Sequence, residues 1–157
     1  MTKVLFVCLG NICRSPMAEF IFKDMLEKAG VSDLFEVASA GTSSEEEGNP
    51  VYPPARAELA KHGISCAGKR AVQYTVGDYS KYDYIVVMED WHKRSVLHIS
   101  GDAQNKVFRL LDFTDAPADI DDPWYTRDFA RAYGEIERGC AAFLEYLKGK
   151  GKLQKER

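Results

Sequence analysis

The apolar run Val4-Leu5-Phe6-Val7 passes without a break into Cys8-Leu9-Gly10-Asn11-Ile12-Cys13-Arg14-Ser15-Pro16, and no other stretch constrains the fold so tightly. A short, unbroken run rich in Val, Leu and Phe reads as a strand buried on both faces, hence as part of a parallel sheet. Ser15 reads as a helix N-cap and Pro16 as the first helical residue. The loop between strand end and helix start has backbone amides without helical partners, and it lies in the positive field of the helix dipole. Such a loop binds anions, and a phosphate dianion suits it.

The field that holds phosphate also stabilises a thiolate, which makes Cys8 a candidate nucleophile. Arg14, six residues on, carries a planar fork that can hold two phosphate oxygens at once. Ser15 can donate a hydrogen bond to the sulfur, both when it attacks and when it leaves. Gly10 and Asn11 tolerate the left-handed backbone of a tight cradle. The stretch lacks the Gly-Lys-Ser/Thr ending of a nucleotide-binding loop and is not a Gly-x-Gly-x-x-Gly turn, so neither nucleotide class is indicated.

Further elements follow from periodicity and punctuation. Ser15 to Ala29 reads as a helix closed by Gly30, with Ala18, Ile21, Phe22, Met25 and Ala29 on one face. Phe35 to Ala40 reads as a second strand ending at Gly41, and Thr42 to Asn49 as a polar loop. A helix opens at Pro53 or Pro54 and runs to about His62. Tyr84 to Met88 is a third strand, Trp91 to about Ile99 a helix, and Lys106 to Leu111 a fourth strand. Phe129, Tyr133, Ile136, Cys140, Phe143 and Leu147 mark a long amphipathic last helix. Strands alternating with helices imply an α/β fold: a single three-layer domain, with a four-stranded parallel sheet covered by helices on both faces and the phosphate-binding loop after strand one. Ligands sit beyond the carboxyl ends of such strands, where Cys8 lies.

Composition sets the class. One domain, residues 1–157, is expected from this length, with residues 148–157 a basic, frayed tail. The chain has 21 basic and 24 acidic residues, spread along it, for a formal charge of −3. That leaves no nucleic-acid footprint. No apolar stretch is long enough to cross a membrane and no leader pattern is present, so a cytoplasmic protein is expected. Cys8, Cys13, Cys66 and Cys140 show no metal-binding spacing, and His62, His92 and His98 read as helix-end or surface residues.

A thiolate attacking a phosphate ester needs an acid for the departing oxygen. Asp122, in Ile120-Asp121-Asp122-Pro123-Trp124-Tyr125, is a candidate, because Pro123 restrains it to an extended backbone. Flanking aromatics would shield its carboxyl and favour the protonated form a general acid requires. Asp121 is equally available, though without the proline constraint.

With both segments in view, the chain resembles the low-molecular-weight protein-tyrosine phosphatases over nearly its whole length. Val7 to Pro16, Ser39-Ala40-Gly41-Thr42, Asp83 to Met88 and Asp122-Pro123-Trp124-Tyr125 carry the resemblance. It implies hydrolysis of phosphotyrosine and small aryl phosphates, with Cys8 as nucleophile forming a phosphocysteine and Arg14 binding phosphoryl oxygens. Asp122 would be general acid, then base. Leu9, Gly10, Asn11, Ile12, Cys13, Ser15 and Ser39 would form and support the phosphate loop. Cys13 would be the second cysteine that can bond Cys8 under oxidation. Leu9, Glu45, Trp124 and Tyr125 would wall the substrate pocket. The resemblance implies no cofactor and no metal, phosphotyrosine-containing protein substrates, inorganic phosphate as inhibitory product, and a monomer or weak homodimer.

The chain departs from the family pattern in places. Glu45 stands where some members have an aromatic wall; the run Glu45-Glu46-Glu47 reads as a solvated loop, the sharper alternative being that it repels acidic phosphopeptides and favours basic ones. Met88-Glu89 replaces a common Met-Asp. A histidine that some members place after the second helix gives way near Gly68-Lys69. Ile12, where phosphoarginine phosphatases tend to carry threonine, suits a phenyl ring better than a guanidinium. Two other classes share the loop. Arsenate reductases need two further closely spaced cysteines, which Cys66 and Cys140 do not supply. A phosphocysteine carrier would gain nothing from a positioned acid such as Asp122.

Overall fold

A computed structural model describes residues 1–154. Four parallel strands, β1 (Thr2–Cys8), β2 (Phe35–Gly41), β3 (Tyr84–Val87) and β4 (Val107–Arg109), form one sheet in the order β2-β1-β3-β4. β1 is central, and its alternating side chains feed two separate cores. Val4, Phe6 and Cys8 face one; Leu5 and Val7 face the other.

The larger core is closed by α1 (Arg14–Lys28), α2 (Pro53–Lys61) and α6 (Phe129–Gly149). Phe6 packs edge-on to Phe22 of α1 and Phe143 of α6, with ring centroids 5.7 and 6.4 Å apart. The smaller core lies under α3 (Val76–Lys81) and α4 (Asp90–Ser100), where Tyr79 and Val96 cover Ile85 and Val87. A single turn, α5 (Pro123–Thr126), follows Asp122. The fold is therefore the expected three-layer α/β domain. Among the described residues no helix is long and apolar enough to cross a membrane.

Four local expectations need correction. α1 begins at Arg14, so Ser15 and Pro16 sit inside its first turn and Ser15 does not cap it. The Ser15 hydroxyl is taken by Cys8 and Asn11, and no side chain caps this helix end. α3 is an additional helix between the second and third expected helices, opened by a capping box in which Thr75 and Asp78 each receive the other's backbone N–H on the side chain. β4 stops at Arg109, where a 3-10 turn from Leu110 to Phe113 buries both leucines instead of alternating them. The tail read as frayed remains helical to Gly149 and turns back so that Leu153 packs on the core; residues 155–157 lie outside the described residues.

Candidate active site

The loop from Cys8 to Arg14 is built against the end of the sheet. The Thr42 and Ser43 amides donate to the Cys8 and Leu9 carbonyls at 2.9 and 3.0 Å, carrying the β1–β2 ladder on into the loop. Gly41 permits this approach, since a Cβ there would lie 2.6 Å from the Leu9 carbonyl oxygen. Asn11 takes the left-handed backbone, with φ of 59°, as expected. Gly10 does not; a Cβ there would lie 3.3 Å from Glu46 Cγ, a tight contact with a side chain across the cavity.

Behind the loop, buried polar groups satisfy one another. Asn11 Nδ2 donates to Ser15 Oγ at 2.8 Å and Ser39 Oγ at 2.9 Å, while Asn11 Oδ1 accepts the Val72 amide at 3.1 Å. Ser15 Oγ lies 3.0 Å from Cys8 Sγ. Ser39 donates to Glu19 Oε1 at 2.6 Å. Glu19 was not foreseen, though it stands four residues after Ser15 and so on the same helix face. An acid on that otherwise buried face was the available signal.

Arg14, 2% exposed, is held from three sides. Its Nη1 donates to the Ile120 carbonyl at 2.6 Å and lies 3.0 Å from Glu89 Oε2; its Nη2 lies 3.4 Å from Asp122 Oδ2. The Met-Glu variation thus falls on a carboxylate that grips the arginine. Glu89 also accepts from Trp91 Nε1 at 2.8 Å. His92 lies at a helix end, in the first turn of α4, but it is fully buried rather than on the surface. Its Nδ1 accepts the Glu89 amide at 3.1 Å, so the proton resides on Nε2, 3.4 Å from Glu89 Oε2 without hydrogen-bond geometry. Burial first, and then the Arg14 charge, push its pKa down to about 3. The pair is therefore a polar contact with a neutral ring.

Geometry separates the two adjacent aspartates. Asp121 points outward toward Arg131, 3.7 Å away, whereas Asp122 faces Arg14. Extended at φ −74° and ψ 113°, Asp122 accepts the Trp124 amide on Oδ1 at 3.0 Å, which leaves Oδ2 turned to the site. The aromatics shield it less than expected: its side chain is 22% exposed, and Trp124 and Tyr125 are themselves exposed.

These groups surround a cavity of about 190 Å³ lined by Cys8, Leu9, Gly10, Ile12, Cys13, Arg14, Glu45, Glu46, Asp122, Trp124 and Tyr125. All four side chains expected as walls are among them. Trp124 leans on Tyr52, with ring centroids 4.7 Å apart. Asn11, Ser15 and Ser39 stand behind the loop and do not line the cavity. Burial pushes the Cys13 thiol up to about 12, with further contributions from the charges of Cys8 and Asp122, so it remains protonated where phosphatases work. Cys66 and Cys140 are buried elsewhere. Among the described residues no group of three or more His, Cys, Asp or Glu is placed to hold a metal ion.

A parallel sheet whose first strand ends in a Cys-x5-Arg loop, with an acid facing the arginine, has the build of a phosphate-handling protein. Comparison makes this specific. The profile of the family described as low molecular weight phosphotyrosine protein phosphatase matches residues 3–154, and the chain belongs to that family. It is 38% identical over 156 residues to the low molecular weight protein-tyrosine-phosphatase YfkJ of Bacillus subtilis, covering 98% of this chain and 100% of that one. The crystal structure of YfkJ superposes with a TM-score of 0.92 at 37% identity, covering 96% of each chain. Vibrio vulnificus Wzb in complex with benzylphosphonate superposes with a TM-score of 0.82 at 29% identity, covering 93% of this chain and 99% of that one. The protein is a protein-tyrosine phosphatase.

Proposed function

We propose that this enzyme hydrolyses aryl phosphates through a phosphocysteine, with Cys8 as nucleophile, Arg14 as phosphoryl clamp and Asp122 as general acid and then base. The observation that carries the reading is that Cys8, Arg14 and Asp122 line one cavity, with Arg14 held in place from behind. Loop amides and the Nε and Nη2 hydrogens of Arg14, whose Nη1 is taken by the Ile120 carbonyl and Glu89, donate to the phosphoryl oxygens, whose charge needs no metal to offset it. The Cys8 thiolate attacks phosphorus as the aryl oxygen departs and takes the proton from Asp122. Asp122, now a carboxylate, takes a proton from water; the water oxygen bonds phosphorus, and the P–S bond breaks to return the thiolate. The Ser15 hydroxyl donates to sulfur as it leaves.

Ile12, Trp124 and Tyr125 offer apolar surface to a phenyl ring, which favours phosphotyrosine over phosphoarginine. The benzylphosphonate in complex with Wzb carries a phenyl ring one atom away from its phosphorus, as an aryl phosphate does. Released phosphate occupies the same cradle and so inhibits competitively. We further propose a cytoplasmic enzyme acting as a monomer or weak dimer. Neither Cys66 nor Cys140 lines the cavity, which disfavours a reductase relay.

The test is metal-free steady-state hydrolysis of para-nitrophenyl phosphate and a phosphotyrosine peptide. Cys8→Ser should lose turnover of both while keeping phosphate binding. Asp122→Ala should lose ~10²–10⁴ in kcat on the peptide and much less on the nitrophenyl ester. Equal losses on both substrates would remove Asp122 from the acid role.

A further inference from the structure

We propose that Lys69 is a positioning residue for the Cys8 thiolate, acting from behind the loop with a buried positive charge that anchors Glu19 and the Ser39 carbonyl, the far end of the hydrogen-bond chain that reaches the sulfur. The proposal rests on Cys8 as the nucleophile. Lys69 Nζ, with 12% of its side chain exposed, donates to the Ser39 carbonyl at 2.9 Å and lies 3.7 Å from Glu19 Oε1. Glu19 is itself buried, and its other oxygen takes Lys23 Nζ at 2.5 Å from a side chain that is 44% exposed. Of the two cations, Lys69 is the one shielded from water, where a charge acts with less screening.

Counting protons shows what an ionised Glu19 imposes. A carboxylate can only accept, so the single hydroxyl hydrogen of Ser39 points to Glu19 Oε1. Ser39 Oγ must then accept, and it receives one Asn11 Nδ2 hydrogen. The amide cannot flip, because Asn11 Oδ1 is held by the Val72 N–H. The second Nδ2 hydrogen goes to Ser15 Oγ, leaving Ser15 one hydrogen of its own to give. Its two candidate acceptors are Cys8 Sγ at 3.0 Å and the Ala40 carbonyl at 3.3 Å. The chain of bonds thus runs from Glu19 to the site of the thiolate, with the Ser39 and Asn11 donors assigned and the shorter contact of Ser15 lying toward the sulfur.

Burial pulls the Lys69 ammonium below the ordinary lysine range, and Lys23 adds repulsion, while Glu19 and Cys8 pull the other way. The Cys66 thiol, itself raised by burial, also faces Glu19. The cation is therefore held by the anions it serves.

The experiment compares Lys69→Met and Lys69→Arg with wild type, reading the rate of Cys8 alkylation by iodoacetamide against pH, with the labelled residue assigned by mass. This reports the thiolate whether or not phosphotyrosine is turned over, so it stands apart from the test of the reaction. Lys69→Met is expected to move the midpoint to higher pH, slowing Cys8 alkylation on the acid limb by ~3–10-fold, the effect of half to one pKa unit. The rates should converge at alkaline pH, and Lys69→Arg should recover most of the loss. The acid limb of kcat/KM for para-nitrophenyl phosphate should move in parallel. Melting curves recorded alongside separate loss of fold from loss of field. An unchanged midpoint in Lys69→Met, whether or not its plateau or melting temperature falls, would overturn the proposal. So would an Arg variant shifted as far as Met.

Discussion

The loop at Cys8–Ser15 and the segment Thr42–Asn49 face each other across the same cavity, yet they are built on opposite rules. In the loop, Asn11, Arg14 and Ser15 are buried, and each is bonded from more than one direction. Across the cavity, Glu45 and Glu47 are exposed; the turn there is held by backbone bonds such as Gly48 N–H to Ala71 and by the Asn49 contact with Glu46. A fully satisfied polar network fixes geometry to the precision that chemistry demands. An exposed turn leaves charge and shape free to set which phosphoprotein approaches.

The sharpest way to break this contrast is at Asn11. Asn11→Ala removes both Nδ2 donors and the acceptor for Val72, and it forces a Cβ residue with no local polar group to hold φ at 59°. We expect kcat to fall about 100-fold, as for other small misplacements of reacting groups. Asn11→Gly relieves the backbone alone. It should regain part of the melting temperature and little of the rate; equal recovery of both would reduce the network to a folding device.

A smaller effect is expected on the open side. Glu45→Gln with Glu46→Gln should raise kcat/KM for acidic phosphotyrosine peptides several-fold at low salt, and the gain should shrink toward none by about 0.5 M salt as screening shortens. Basic peptides should move the opposite way, and para-nitrophenyl phosphate much less. Peptide rates that ignore both substitution and salt would make the acidic turn a solvated loop and nothing more.

The last effect, read in stability rather than rate, belongs to His92, on the braced side. Folded, its pKa lies near 3 against 6.5 for an ordinary histidine, so below pH 6.5 the unfolded chain binds a proton that the folded chain refuses. The group's contribution is present above that pH and is lost as pH falls toward 3, at up to about 1.4 kcal/mol per unit. Chemical denaturation of wild type and His92→Asn between pH 7 and 5 should show a shallower acid decline in the variant. Parallel declines would place the acid sensitivity elsewhere.

Much of this site was legible because chain order carries it. Cys8, Arg14 and the loop backbone lie within one strand-loop-helix unit, where local rules apply. Asp122 could be reached through its proline, but its distinction from Asp121 required knowing which carboxyl faces Arg14. Glu89 and Lys69 stood out in the sequence only as departures from the family pattern, and the contacts of both, like the burial of His92, were hidden for a stronger reason. Their significance is a distance to residues far away in sequence, and an exposed-looking helix start does not reveal that His92 is buried beneath it. Ser15 misled in an instructive way, since a serine before a proline is the ordinary sign of a cap, and here its hydroxyl is spent on sulfur. Glu19 offers the complementary lesson, because helix periodicity alone put an acid on a buried face.

The ladder that runs from β1 and β2 into the phosphate loop makes the site a late product of folding. Cys8 pairs with Gly41, and the next amides, Thr42 and Ser43, hold Cys8 and Leu9. These partners are more than thirty residues apart. The loop therefore cannot take its shape from local sequence alone; a nascent chain that has made only β1 and α1 holds the cysteine and arginine but lacks the strand that braces them. Parallel pairing of this range is slow to close. During refolding, the gain of a reactive Cys8 should thus follow β2 docking, making the thiol a built-in clock for completion of the sheet.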